Sequence, residues 1–494
     1  MNNSADPFLA LGGNRAKRRI KAADNVEAGC KISATIQGAN MSEINISRIV
    51  DTARLRPFHL WLTFWCLLAM MADGFDLLNA SIAGPALIKE WGISRASLGP
   101  VFSASLVGFL VGAPFFGYLG DRFGRRLAII SSLIFIGITT LACAWATDLQ
   151  QLLWLRFLSG LGLGGVLPNV IALNAEFTPK RFRATVLVVM SMGISLGGAV
   201  PGIVGVTLMP TYGWPVIFVV GGVVPLFVGF CAILALPDSI KFLVLRAGRD
   251  QAVARLARKL DPGLTIAPDT RFVLDQDEGS ANTRGSPAAL FRNGWAVVTV
   301  LVWLIFVLNL MANNLMNAWL PMIVQSSGHS AAQGAYAGSL YQLGGSAGGL
   351  CLGILIDRFG LRILTVAFAI AAPVVAFTGT PGISGSLLLA MAFFSGCVVT
   401  GMQNGLNASA GLIYPTALRA NGVGYALGVG RVGSISGPMI GSLLTKLDMP
   451  PAAFFFVTAI GPLLCAGCCV LLLRQLRQTR GETAVAAAVG CSPG

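Results

Sequence analysis

Gly117-Tyr-Leu-Gly-Asp121-Arg122-Phe-Gly-Arg125-Arg126 joins two apolar runs, and it returns as Gly353-Ile-Leu-Ile-Asp357-Arg358-Phe-Gly-Leu361-Arg362, with Asp121 and Asp357 separated by 236 residues. The same interval separates Pro179 from Pro415, Arg183 from Arg419, and Ser159-Gly160 from Ser395-Gly396. One offset shared by four sites without adjustment marks a duplicated chain. Duplication of a helical half is how many membrane transporters are built.

Outward from the repeat, apolar stretches long enough for a bilayer, roughly 20 residues each, cover 59–88, 97–119, 127–146, 152–175, 184–209 and 214–236. After a polar segment they resume at 295–324, 334–356, 363–379, 386–412, 420–445 and 452–473. The expected fold is therefore an all-α membrane protein, twelve transmembrane helices in two pseudo-symmetric six-helix bundles. Composition agrees: 55% of the 494 residues are apolar and 11% charged, against about 25% charged in soluble proteins. The formal charge of +14 is scattered along the chain, and no basic face calls for nucleic acid. The ten cysteines show no disulfide or zinc spacing; even Cys465, Cys468 and Cys469 sit in an apolar run and read as small packing residues.

The domain reading follows from these spans: a polar, basic segment 1–57 expected to be disordered, a bundle over 58–236, a loop over 237–294 with seven acidic and nine basic residues, a bundle over 295–473, and a tail from 474 to 494. No apolar leader precedes the first span, and Met41 is a candidate start of translation. The termini, the central loop and the loops on their side hold 30 of the 35 basic residues; the opposite loops hold Lys89, Arg95 and Lys446. By the positive-inside rule both termini are cytoplasmic, in a multi-pass protein of the inner (cell) membrane.

Four ionisable residues lie inside spans, where each costs about 2.5–3.5 kcal/mol on the lenient insertion scale. Asp73 and Asp76, three apart in the first span, share one helix face at roughly 5–6 Å, and two carboxylates that close in a low dielectric do not both ionise readily. They are the candidate proton-coupling groups, with Arg156 of the fourth span as counter-charge to both. Arg431 of the eleventh span is the candidate grip for a substrate carboxylate, since a buried guanidinium offers two parallel hydrogen bonds. The positions 236 residues on from Asp73, Asp76 and Arg156 are Asn309, Ala312 and Ala392, and the position 236 before Arg431 is Ser195. The halves share scaffold motifs but divide the charges, which suits cotransport of a proton with an anion.

Amides and phenols supply the rest of the candidate site. Asn309, Asn313 and Asn317 form one stripe of the seventh span; Tyr336, Tyr341 and Gln342 lie on the eighth; Gln403, Asn404 and Asn407 lie on the tenth. Such groups suit ring hydroxyls, and equally serve as glue between helices. Asp121, Arg122, Arg125, Glu176, Arg183, Asp357, Arg358 and Arg419 are read as gating residues, their contacts made in one conformation and broken in another. Gly428-Val-Gly430-Arg431-Val-Gly433 fits a dinucleotide pattern by spacing alone, outside any strand-turn-helix context. No Walker A, HExxH or GxSxG sequence is present. No cofactor, metal or catalysis is expected, and transport would draw on a gradient.

The GxxxD[RK]xG[RK][RK] loop resembles the signature of the major facilitator superfamily, and the resemblance spans nearly all of residues 55–475. At Asp73-Gly-Phe-Asp76 the chain looks like the aromatic acid:proton symporter family. Gly84-Pro-Ala-Leu with Trp91-Gly, Glu176-Phe-Thr-Pro-Lys-Arg-Phe-Arg183, and Tyr414-Pro-Thr-Ala-Leu-Arg419 leading to Gly430-Arg431 add to that likeness. The resemblance implies uptake of aromatic carboxylates, such as hydroxybenzoates or hydroxyphenylpropionates, together with a proton, by a chain expected to act as a monomer. It implies functional weight at Asp73, Asp76, Asp121, Arg156, Glu176, Asp357, Arg419 and Arg431. Glu176 has no acidic counterpart in the second half, in the stretch that ends in Tyr414, so the charge pattern is not symmetric. Rival readings are another organic anion, a drug or metabolite exporter, sugar uptake, or a membrane receptor for aromatic acids.

Overall fold

The structure is a computed structural model. It describes residues 43–246, 249–264, 266, 270–274, 290, 291, 294–414 and 416–488. The first 42 residues with Met41, all of 275–289, Pro415 of the repeat and the last six residues lie outside that description. The chain divides into two compact units: residues 1–53 with 243–280, and residues 54–242 with 281–494.

In the smaller unit, strand β1 (Glu43–Asn45) pairs in parallel with β2 (Arg271–Val273), Ile44 opposite Phe272. Helix Ile46–Thr52 follows directly, its N-cap Asn45 accepting from the Arg48 amide at 3.3 Å. It packs on the amphipathic helix Asp250–Leu260, with Ile46, Val50, Val253, Leu256 and Leu260 buried. Residues 43–52, expected to be disordered with the rest of 1–57, are thus ordered. Every second or third residue there is apolar, and the central loop supplies the surface that buries them.

Among the described residues the larger unit holds twelve long helices. In the first half these are α1 (Pro57–Trp91), α2 (Leu98–Phe123), α3 (Arg125–Cys143), α4 (Leu149–Phe177), α5 (Lys180–Thr207) and α6 (Pro215–Ala235). In the second they are α7 (Trp295–Ser326), α8 (Ala331–Phe359), α9 (Arg362–Thr378), α10 (Gly385–Ile413), α11 (Thr416–Lys446) and α12 (Pro451–Ala488). Ten are long and apolar enough to cross a bilayer. Of the other two, α9 is an apolar helix of 17 residues; α11 is diluted by seven glycines, several serines and Arg431. Large side chains such as Phe115, Phe227, Phe230, Leu234 and Leu463 point outward, Leu234 with 89% of its surface exposed; an apolar shell of that extent belongs against lipid.

The two halves are wired alike. In the first, α1 packs on α5, α2 on α4 and α3 on α6; in the second, α7 packs on α11, α8 on α10 and α9 on α12. Glycines set these contacts at backbone range. A Cβ on Gly108 would meet the Phe157 carbonyl, one on Gly112 that of Leu161, and one on Gly160 that of Ser105. Gly344, Gly348 and Gly396 meet the carbonyls of Phe393, Cys397 and Tyr341 in the same way. Gly197 against Met71 has its counterpart in Gly433 against Val307. All four pairs of contacts recur at the interval of 236. The glycine of each Asp-Arg-Phe-Gly loop adopts positive φ, 100° at Gly124 and 67° at Gly360. A residue without Cβ turns the chain there at little steric cost.

Between the halves, α2 meets α11, α5 meets α8 and α1 meets α7. Five hydrogen bonds cross this seam: Ser81 Oγ to the Ala318 carbonyl at 2.6 Å, Ser103 Oγ to Ile435 at 2.9 Å, Ser339 Oγ to Ala199 at 2.6 Å, Arg95 to Ser326 Oγ at 2.9 Å, and Ser442 Oγ to the Ala96 carbonyl. Phe102 and Trp319 add an edge-to-face contact at 5.7 Å. These ties lie on the side opposite the chain termini.

Gly160→Val and Gly396→Val should each force α4 off α2 or α10 off α8. Overpacking of this kind costs about 1–3 kcal/mol, and the expected outcome is a lower midpoint of thermal aggregation in detergent. Gly117→Val and Gly353→Val, where a Cβ meets nothing, should leave that midpoint close to the parent value.

Candidate functional site

Asp73 and Asp76 both fall within α1 and both are buried, but they are held differently. Arg156, from the first turns of α4, donates to Asp76 Oδ1 at 2.5 Å, to the Asp76 carbonyl at 3.2 Å and to Ser105 Oγ of α2 at 3.1 Å. Asn79, one turn further along α1, donates to the same Oδ1 at 3.0 Å. Asp76 is 3% and Arg156 2% exposed, so the pair is sealed from solvent. Removing one partner of a buried pair typically costs about 3–5 kcal/mol, because the other charge is left uncompensated. Asp76 and Arg156 therefore act as one structural clamp over α1, α2 and α4.

Asp73 lies outside that clamp. Among the described residues its carboxylate makes no hydrogen bond, and the cation whose charge acts on it is Arg431 of α11, in the other half. The expectation that Arg156 would serve both acids is corrected: the register of α4 brings the guanidinium to Asp76 and leaves Asp73 to Arg431. Arg431 stacks on the Phe109 ring of α2, its guanidinium carbon 3.9 Å from the centroid, a geometry in which the ring quadrupole favours the cation. Asp73 and Arg431 stand near the midpoints of their helices, about two turns nearer the termini side than the Ser81 tie.

The second half contributes amides. Asn309 donates to Gln403 Oε1 at 2.8 Å, and Gln403 donates to Asn407 Oδ1 at 3.1 Å, a chain from α7 along α10. Asn313 Oδ1 accepts from both Tyr341 at 3.0 Å and Thr400 at 2.7 Å. Tyr341 is wholly buried, so it positions Asn313. Asn404 packs against Gly349 of α8. The acceptor oxygens of Asn309, Asn317 and Gln342 are buried with no partner among the described residues; a buried acceptor left bare costs about 1–3 kcal/mol and favours any donor that reaches it. Tyr336, expected beside Tyr341, is 41% exposed and faces outward. Ser105, Arg156, Asn314 and Asn317 also line a cavity of about 20 Å³ between the halves, room for about one water.

The candidate gating residues fall on the termini side. Asp121 pairs with Arg125 of its own loop, and Arg125 also donates to Asn169 Oδ1 of α4 at 3.1 Å. Arg126 pairs with Asp238 at 3.1 Å, and Ser239 donates to Glu176 at 2.5 Å. Arg122 donates to the Tyr118 hydroxyl at 2.6 Å. These contacts stay within the first half. In the second, Asp357 and Arg419 are exposed without an ion pair among the described residues, and Arg358 lies over the Phe359 ring at 5.5 Å. Arg183 keeps a buried Nε unpartnered. The seam between the halves is tied on the opposite face, and the loop contacts named here are those of that one conformation.

Sequence reasoning missed Ser105, Phe109, Asn169 and Thr400. Asn169 had a weak signal, an amide in an apolar span four residues beyond Gly165; Phe109 had none.

Two six-helix halves around opposed buried charges define a transporter fold, and the comparisons agree. The model of the Major Facilitator Superfamily matches residues 64–378 and 302–489, and the chain belongs to that superfamily. More closely, it is similar to the 4-hydroxybenzoate transporter PcaK of Pseudomonas aeruginosa, with 34% identity over 408 residues, 82% of this chain and 91% of the relative. It is 33% identical to the 3-(3-hydroxy-phenyl)propionate transporter of Escherichia coli over 415 residues, 83% of this chain and 93% of that one. Among solved structures, the inward-open xylose transporter XylE of E. coli superposes with a TM-score of 0.67 at 17% identity, over 83% of this chain and 94% of that chain; this likeness concerns the fold alone.

Asp76→Asn strips Arg156 of its counter-ion, whereas Asp73→Asn removes a carboxylate that makes no hydrogen bond. Thermal unfolding of the purified variants should show a marked loss of stability for Asp76→Asn and little for Asp73→Asn. Equal losses would remove the distinction between the two acids.

Proposed function

We propose that this protein imports aromatic carboxylates across the inner membrane with protons, working as a monomer with both termini in the cytoplasm and catalysing no covalent chemistry. The carrying observation is the opposition of Asp73 and Arg431 across the two halves: a buried carboxylate without a hydrogen bond, facing a guanidinium that has an aromatic ring as its neighbour and no hydrogen-bonded anion. The relatives named above, which transport 4-hydroxybenzoate and 3-(3-hydroxyphenyl)propionate, support the substrate class.

The mechanism rests on charge balance. With Asp73 ionised, Arg431 already has a counter-charge, and a second carboxylate beside it is repelled. A proton on Asp73 removes that competitor and frees Arg431 to hold the substrate carboxylate by paired hydrogen bonds. Phe109 gives the ring a face to stack on. The bare oxygens of Asn309 and Gln342, with Asn313, Gln403, Asn404 and Asn407 near them, offer acceptors and donors to ring hydroxyls. Tyr341 holds Asn313 in place. Proton and anion binding are linked, and linkage is reciprocal, so acid strengthens substrate binding and substrate strengthens proton uptake.

With cytoplasmic termini, the described conformation is tied shut on the outer face. Opening outward breaks the serine seam, and closing inward brings the termini-side loops together. Asp121, Arg122, Arg125, Glu176 and Arg183 of the first half would then meet Asp357, Arg358 and Arg419 of the second, which hold those charges exposed in this state.

Uptake of labelled 4-hydroxybenzoate by cells expressing the protein, with and without a proton uncoupler, tests the whole reading; accumulation that survives the uncoupler would overturn proton drive. Asp73→Asn should abolish uphill accumulation and flatten the pH dependence of binding while leaving substrate exchange measurable. Arg431→Ala should weaken binding of the acid by about tenfold or more, the scale of a charge-assisted pair, and weaken a neutral methyl ester far less. Equal loss for acid and ester would make Arg431 a packing residue.

A further inference from the structure

One larger cavity, of about 540 Å³, opens on the face opposite the termini, away from the Asp73–Arg431 level. Its volume falls within the range of small-molecule pockets, roughly 300–1,000 Å³. Trp319 and Phe454 line it, their ring centroids 5.7 Å apart and tilted by 43°. Trp319 is fixed from behind, its indole N–H donating to the Pro438 carbonyl at 3.0 Å and its ring meeting the edge of Phe102. Arg95, Lys446 and Asp448 line the same space, and Arg95 is steadied by Ser326 Oγ at 2.9 Å.

The cations are informative because this face has so few. Its loops hold three of the 35 basic residues, Lys89, Arg95 and Lys446, and two of the three converge here. Asp448 offsets one of them and leaves the lining with a net positive charge. A guanidinium and an ammonium above an aromatic wall are complementary to a flat anion, the cations to its carboxylate and the rings to its ring. The cavity is also built from both halves. Ser94, Arg95 and Ala96 come from the start of the α2 region, while Trp319, Lys446 and Phe454 come from α7, α11 and α12.

We propose that this cavity is a second, outward binding site for aromatic carboxylates, assembled only while the halves are closed on that face. The ligand class rests on the function proposed above. A ligand that binds one of two conformations draws the population toward it. An external excess of the acid therefore holds the outer face shut and slows its own uptake.

The test is equilibrium dialysis of labelled 4-hydroxybenzoate, up to millimolar concentration, against the full chain in lipid nanodiscs. The wild type should bind two equivalents per chain. The double variant Arg95→Gln/Lys446→Gln, changed at exposed positions, should bind one. Arg431→Ala should also bind one, and adding the double change to it should remove the rest. A wild type that binds one equivalent, untouched by the double variant and lost with Arg431→Ala, overturns the outer site and leaves the central reading standing. Loss of one equivalent in the double variant with none in Arg431→Ala supports the outer site and overturns the central one. No binding in the wild type overturns both. In cells, the uptake rate of the wild type should turn down at high external concentration and that of the double variant should not; an equal downturn in both overturns the proposal.

Discussion

A charge inside a bilayer must find its opposite or be given up, and in this protein the Asp76–Arg156 pair meets that demand first. Arg156 reaches a carboxylate oxygen, a backbone carbonyl and a serine hydroxyl, which together draw α1, α2 and α4 into one block. Because that guanidinium is committed, the neighbouring acid one turn away is left without it. Asp73 then has only the other half to answer to. The structural pair thus makes room for the proposed functional one: with Arg156 locked on Asp76, the cation whose charge acts on Asp73 is Arg431.

The duplication explains how such a division is carried. Glycine-to-carbonyl contacts recur at one interval in both halves, so helix pairs α2–α4 and α8–α10 are each held at backbone distance. Rigid pairs confine relative motion to the seam between halves. On this common scaffold the side chains have diverged, acids in the first half and amides in the second. Arg431 crosses that boundary, stacking on a phenylalanine of the first half while belonging to the second.

Much of this was legible in the residues. Twelve apolar runs, the repeated Asp-Arg-Phe-Gly loop and four intramembrane charges each carry a strong physical signature: length, offset and cost. Of the glycine seam only Gly160 with Gly396 was legible; Gly108 with Gly344 and Gly112 with Gly348 share the same offset but stand out only once their carbonyl contacts are seen. The partner of Arg156 was not legible, because two acids three residues apart face the same way and only the packing of α4 on α1 chooses between them. Phe109 was hidden among apolar neighbours. Which state of the expected latch is populated was not legible either, because a sequence does not state which conformation is populated. The order in residues 43–52 depends on a strand more than two hundred residues away, beyond the reach of local composition.

Each of the five bonds that close the seam uses a serine hydroxyl. In a helix that hydroxyl has an alternative, the carbonyl one turn back, and Ser326 already donates to Met322 in this way at 2.9 Å while accepting from Arg95. When the halves part, the four serine donors can turn to their own helices, and Arg95, at an exposed position, to water. A fastening of this type is nearly free to undo, so under the proposed function the energy that decides between the two orientations can come from the cargo and its proton, with little lost to friction in the hinge.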